Sequence, residues 1–494
     1  MGKQAGIFNF AFGLSATVMD VNMDGYPDIY VANDYIEPDI LYINNRNGTF
    51  SDRINDYVRH TSAFSMGADC ADINNDGLLD LFVLDMALPD NAKNKMIMTA
   101  MTNERYYTLA KYGYGEQMMR NMLQLNNGNS TFSEIGCLAG IDATDWSWSP
   151  LMADFDNDGW CDIFVSNGFR RDVTNLDYIH FTFDSTLRAD GGRLRDTMAH
   201  IQKVPKSAVS NFMFRNKGDL SFEDVSGSWG FSEKTYSNGA VYADFDNDGD
   251  LDIIVVRAEA PAAVFRNQTI ENKQGGNYLQ IKLAGSAANP QGVGAVVVVE
   301  SGGQRQTALS NPVRGYISTS TDLLHFGLGK NAAAERVSVQ WPDGKVQTLS
   351  NVPANQRLTL QYSEAKKGAP IWPTSIAETQ LFSDITAASG IQFVHQENVF
   401  FDFDRERLIP RKYSNLGPAL ASGDVNGDGL DDLFLGGAFT HFGAIGLQMP
   451  NGKFSLKSEA FAADSLREDV GATFFDADGD GDLDLYVVSG GNEA

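Results

Sequence analysis

Short apolar runs recur along the chain in matching company. Ile29–Val31, Leu81–Val83, Ile163–Val165, Ile253–Val255, Leu433–Leu435 and Leu485–Val487 are each rich in β-branched and aromatic residues, and each follows the same polar block. Runs of that length and composition read as buried strands. A glycine stands five or seven residues before five of the six blocks (Gly13, Gly67, Gly239, Gly417, Gly471), which places a further strand on the upstream side and makes residues 8–19 the first of these. Downstream, Leu41–Asn45 with Gly48–Phe50, Leu123–Asn127 with Ser130–Phe132, and Met213–Asn216 with Leu220–Phe222 read as hairpins turning at Asn and Gly. Strand, polar loop, strand and hairpin make four short antiparallel strands, the unit of a β-propeller blade.

The polar block has the form D-x-[DN]-x-D-G-x-x-D and occurs six times. Its acidic or amide positions are Asp20, Asn22, Asp24 and Asp28; Asp72, Asn74, Asp76 and Asp80; Asp154, Asp156, Asp158 and Asp162; Asp244, Asp246, Asp248 and Asp252; Asp424, Asn426, Asp428 and Asp432; Asp476, Asp478, Asp480 and Asp484. Oxygens at positions 1, 3 and 5, with a glycine at 6 for the sharp turn, wrap one side of a hard cation such as Ca²⁺, as in the first half of an EF-hand. An EF-hand needs a bidentate Glu at position 12, where this chain has only Val or Leu. The aspartate at position 9 is expected to close the site instead. One such loop alone could be an ordinary Asp/Gly turn, but six in register predict six Ca²⁺ ions, which would raise the formal charge from −26 to −14. Calcium bound this way would stabilise the folded state by linkage.

Successive blocks start 52, 82, 90, 180 and 52 residues apart, so the longer gaps hold insertions. Residues 88–120 and 169–208 have helix-like composition. The 180-residue gap holds a small all-β domain over 275–362, with alternating segments such as Tyr278–Leu283 and Arg336–Trp341. The domain reading is therefore blades over 1–272, the small domain, a linker at 363–378, and the first blades of a second propeller over 379–494. Both ends read as cut within a blade, as in a fragment of a longer protein.

The blocks and their strands resemble the FG-GAP/VCBS propeller repeats. The 275–362 region, with Gly292–Ala295, Gly315–Tyr316, His325–Gly329 and Trp341–Gly344, resembles the ASPIC/UnbV domain, and the pairing resembles the cartilage acidic protein group and its bacterial relatives. The resemblance implies a seven-bladed propeller and an extracellular, periplasmic or outer-surface setting, and no established activity, because such modules carry many functions.

Charge narrows the partners. Acidic residues outnumber basic ones by 64 to 38, a field that repels nucleic acid and anionic membrane surfaces and attracts cations. No apolar stretch approaches a membrane span, and Asn9 interrupts the N-terminal apolar run, which reads as strand rather than leader. Cys70, Cys137 and Cys161 are too few for a disulfide framework. The six histidines are scattered singly, no nucleophile has a neighbouring signature, and His325 reads as the end of a strand. The expected role is binding of a protein or glycan. The alternatives are an enzyme with its site in the insertions or in missing blades and, disfavoured by charge, a nucleic-acid binder. The best expected ligand-facing surface is Arg170, Arg171, Asp172, Asp177 and Tyr178. The Met- and Tyr-rich stretch 95–122 suits either a partner surface or packing on the propeller. Asn47, Asn129 and Asn267 fit the glycosylation sequon.

Overall fold

The computed structural model describes residues 2–97, 102–189, 197–272, 275–371 and 382–492. The chain divides into two compact units, Met1–Ala377 and Glu378–Ala494.

The first unit is built of antiparallel meanders. Phe12–Met19, Asp28–Asp34, Ile40–Asn44 and Phe50–Asp52 form the first blade. Ala68–Ala71, Asp80–Val83, Met122–Asn126 and Phe132–Glu134 form the second, and Ser147–Ala153, Asp162–Asn167, Phe212–Asn216 and Phe222–Asp224 the third. The fourth has three strands, Ser237–Ala243, Asp252–Arg257 and Ala263–Phe265. Strand alternation puts one apolar set on each sheet face, and the faces of neighbouring blades close on each other. Val83 and Met122 join the core with Met19 and Tyr30, Phe82 and Leu123 that with Ile163 and Val165, and Phe164 and Met213 that with Ile253 and Val255. The first strands of successive blades lie side by side. The first strand starts at Phe12 rather than at residue 8, because Asn9 turns aside to donate to Asn33 Oδ1 (2.8 Å).

The insertions carry the helices Asn91–Met96 and Asn103–Lys111, and Tyr178–Phe183, Asp184–Ala189 and Thr197–Lys203. Met122 is buried in the core and Met118 packs against it, whereas Met96 and Tyr107 are exposed. Met98 and Met101 lie outside the described residues.

The small domain is a five-stranded sheet (in order Gln304–Leu309, Val296–Ser301, Ala333–Gln340, Lys345–Pro353, Lys366–Lys367) and a three-stranded one (Leu324–Gly329, Asn277–Ala284, Gln356–Gln361) around Leu279, Ile281, Val297, Phe326 and Trp341. Residues 363–371, expected as linker, continue this domain: Lys366–Lys367 pairs on the sheet edge, and Ile371 N donates to Gln340 Oε1 (2.9 Å). Its hairpin Val313–Arg314/Ser318–Thr319 reaches the first strands of the blades, touching those of the first, third and fourth and bridging Ala68 of the second through Gly315. Gly315 sits at φ +61°, where a Cβ would stand 2.1 Å from Ser149 Oγ, so only glycine fits. Among its described residues this unit holds four blades rather than seven, and a hairpin of the small domain covers their inner edge.

The second unit has one complete blade, Leu420–Gly423, Asp432–Leu435, Ala444–Gln448 and Phe454–Lys457, and the strand pair Glu468–Phe475 and Asp484–Gly490. Among the described residues no helix is long and apolar enough to cross a membrane.

Candidate metal centres

Each acidic block forms the turn between the first and second strands of its sheet, with the same internal wiring. The position-5 aspartate turns one oxygen to the N–H of position 7: Asp24 to Tyr26, Asp76 to Leu78, Asp158 to Trp160, Asp248 to Asp250, Asp428 to Leu430 and Asp480 to Asp482. The position-1 aspartate accepts from the N–H groups of positions 5 and 6, as Asp20 does from Asp24 (3.0 Å) and Gly25 (2.8 Å), with the same pair at Asp72, Asp154 and Asp424. Asp244 takes the first of these bonds and Asp476 the second. At position 3, Asn22, Asn74, Asp156, Asn426 and Asp478 accept from position 5. Asp246 pairs instead with Arg266. The turn is left-handed at position 6 and also at position 4, occupied by Met23, Asn75, Asn157, Asn247, Gly427 and Gly479. Asn and Gly tolerate that backbone best, which explains the composition of position 4.

Position 9 does more than close a site. Asp28 opens the second strand, taking the Val21 N–H on Oδ2 (3.0 Å) and the Asn44 N–H of the third strand on Oδ1 (2.8 Å). Asp80, Asp162, Asp252 and Asp432 repeat both bonds, and Asp484 the first. Each oxygen keeps a second lone pair for a cation. Asp154, Asp156 and Asp162 bring oxygens within 4.8 Å of one another, as do Asp244, Asp246 and Asp248, and Asp476, Asp478 and Asp484. The other three blocks carry Asn at position 3.

Burial makes these carboxylates costly as free anions. It pushes Asp20 up to about 6 and Asp28 to about 7, and holds Asp72, Asp80, Asp154 and Asp162 well above the usual carboxylate range. In the second unit both blocks are more open to solvent, buried Asp432 excepted, and the Gly429 N–H holds Asp424 below its ordinary value. Oxygen-only donors in a tight loop fit Ca²⁺, which takes six to eight oxygens; Mg²⁺ dehydrates reluctantly and fits less well.

Several participants escaped the sequence reading. Arg215 bridges Asp156 (2.7 Å) and Asp158 (2.9 Å), and Arg266 bridges Asp246 and Asp248, so two blocks with four carboxylates have a guanidinium beside them. The repeated Phe-Arg-Asn at 214–216 and 265–267 was the available signal. Asp250, with Asp248 and Glu271, forms a further acidic group. The small domain sits on two blocks: His325 Nε2 lies 2.6 Å from Asn157 Oδ1, and Gln280 Nε2 donates to Asp244 Oδ2 (2.7 Å). Desolvation pushes the half-buried His325 down to about 4, so it is neutral, consistent with a structural strand end.

The expected ligand-facing surface is largely committed to the insertion itself. Arg171 donates to the Gln202 and Val204 carbonyls, buried Asp172 accepts from Thr174, Arg170 pairs with Glu259, and Tyr178 is buried. Asn267 is likewise occupied, its Nδ2 donating to Phe155 O (2.7 Å) and Leu251 O (3.2 Å), which leaves Asn47 and Asn129 as the exposed sequons.

Residues 20–83, 112–165, 206–255 and 424–487 match the FG-GAP-like repeat family, and 285–367 match the ASPIC and UnbV family. The chain carries FG-GAP-like repeats and an ASPIC/UnbV domain. Cartilage acidic protein 1 of mouse is 27% identical over 277 residues, 49% of this chain and 42% of the relative. The human protein of that name is 28% identical over 257 residues, 46% of this chain and 38% of the relative. The aligned stretches thus span about two fifths of these relatives. A solved structure of an Agrocybe aegerita lectin, described as recognising non-reducing terminal N-acetylglucosamine, covers 91% of this chain and 83% of its own at 14% identity. Its TM-score is 0.25, too low to support an argument.

Proposed function

We propose that this FG-GAP protein is a calcium-stabilised extracellular or cell-envelope scaffold that binds a protein or glycan and has no catalytic role of its own. The observation that carries the reading is the six-fold recurrence of one oxygen-lined turn, in five of which a buried position-9 aspartate ties second strand to third. A divalent ion would offset the charge gathered there, and unit-by-unit rigidity would follow. The insertions support binding over catalysis, since Arg171 and Asp172 serve the backbone around them rather than a reacting group.

Calcium titration with metal analysis after gel filtration should find about six equivalents, with a chelator lowering the thermal midpoint by roughly 10 °C or more. Changing Asp154 and Asp158 together to Asn should remove about one equivalent. A midpoint indifferent to chelator would sink the calcium reading. Glycan and surface-protein arrays probed with Ca²⁺ and with chelator test the binding reading, which predicts calcium-dependent hits.

A further inference from the structure

The second unit gathers a group of another chemistry. His395 and Glu397 stand on the extended segment before the Asp402–Arg405 helix, and Glu468 opens the strand Glu468–Phe475. One ligand atom of each lies within 4.8 Å of the others. His395 Nε2 and Glu397 Oε1 are 2.5 Å apart, while His395 Nδ1 faces the Gly436 carbonyl at 3.3 Å. Glu468 is 1% exposed and its Oε2 accepts from Phe439 N (2.9 Å), in the same turn as Gly436. Next to it, Asp469 turns Oδ2 to Gly437 N (2.8 Å).

The ring orientation has a chemical consequence. Facing a carbonyl, Nδ1 carries a proton, so a neutral imidazole turns its Nε2 lone pair toward Glu397. At 2.5 Å that nitrogen and the Glu397 oxygen share one proton when no ion is bound, and a metal can take that proton's place. That proton balances one carboxylate, whereas a divalent ion in its place balances both Glu397 and Glu468, the latter 1% exposed. A backbone carbonyl on the second ring nitrogen is also how metal-ligating histidines are oriented. Imidazole nitrogen with two carboxylates suits a transition ion, in contrast to the oxygen-only blocks that suit calcium.

We propose that His395, Glu397 and Glu468 form a binding site for a divalent transition ion of the zinc class, separate from the acidic turns. Three protein donors leave a fourth position for water or a bound ligand.

The test uses the full chain in millimolar Ca²⁺, so that the acidic turns are filled. Zn²⁺ is added and removed by gel filtration, and bound zinc is counted. One equivalent should be retained by the unchanged protein, and Co²⁺ in its place should give the strong visible bands of a low-coordinate nitrogen-containing site. His395→Gln and Glu397→Gln should each weaken zinc binding roughly tenfold or more, with calcium stoichiometry unchanged. Glu397 is partly exposed, so its variant folds even if the histidine variant does not. No zinc retained over calcium would overturn the proposal. So would retention by the folded Glu397→Gln protein at unchanged affinity.

Discussion

Asp39 shows how much one buried carboxylate can govern. It is fully enclosed, accepting from Asn33 N (2.7 Å), Ser65 Oγ (2.7 Å) and the Tyr30 hydroxyl, and burial pushes it up to about 7. Its ordinary value in an unfolded chain is 3.8, so its contribution is fully present below that pH and is lost as pH rises through about 7. The loss amounts to on the order of 4 kcal/mol above neutrality. Asp39→Asn keeps an acceptor and removes the titration. In saturating Ca²⁺, the urea midpoint of the wild-type chain should fall between pH 4 and 7, and that of the variant should fall clearly less. Equal slopes would show that Asp39 does not titrate there.

At the scale of strands and blades, the position-9 aspartate and the third-strand asparagine work together. Asp80 anchors Asn126 N (2.8 Å), and Asn126 Nδ2 then reaches Val21 O of the preceding blade (3.1 Å) and Leu79 O of its own (3.3 Å). Asn216 makes the same clasp to Ile73 and Cys161, and Asn267 to Phe155 and Leu251. The hairpin asparagines, read from sequence as turn formers, thus join each acidic turn to the next. Asn126→Ala strands two buried carbonyls, and chemical denaturation should show a loss of about 2 kcal/mol. Asn45, exposed at a hairpin tip, is the control and should change stability by no more than about 0.5 kcal/mol when replaced by Ala.

At the scale of the first unit, a buried ion pair joins the small domain to the blades. Arg314 Nη1 meets Asp69 Oδ1 (2.9 Å) and the Cys70 carbonyl (2.9 Å), with Arg314 9% and Asp69 1% exposed. Asp69 also accepts from Met152 N of the third blade (2.9 Å), so one contact ties three parts together. Breaking such a pair leaves an uncompensated charge, and Arg314→Met should cost about 3–5 kcal/mol by denaturation. Adding Asp69→Asn should restore most of that. A double variant no more stable than the single would assign the loss to packing of the hairpin instead.

The repeat period, the strand content, the helical insertions and the acidic turns were legible in the sequence, because they depend on contacts within a few residues: alternation along a strand, and an Asp-to-backbone bond across five positions. Tertiary structure alone decided the rest. Arg314 and Asp69 are 245 positions apart, Asn216 and Ile73 are 143 apart, and His395 meets Glu468 only because a non-strand segment and a strand converge on one turn. Isolated histidines and arginines carry no periodic signal, so their partners emerge only once sheets are stacked. The same stacking closed the inner edge of the blades with a hairpin that sequence alone marked only by Gly315 and Tyr316.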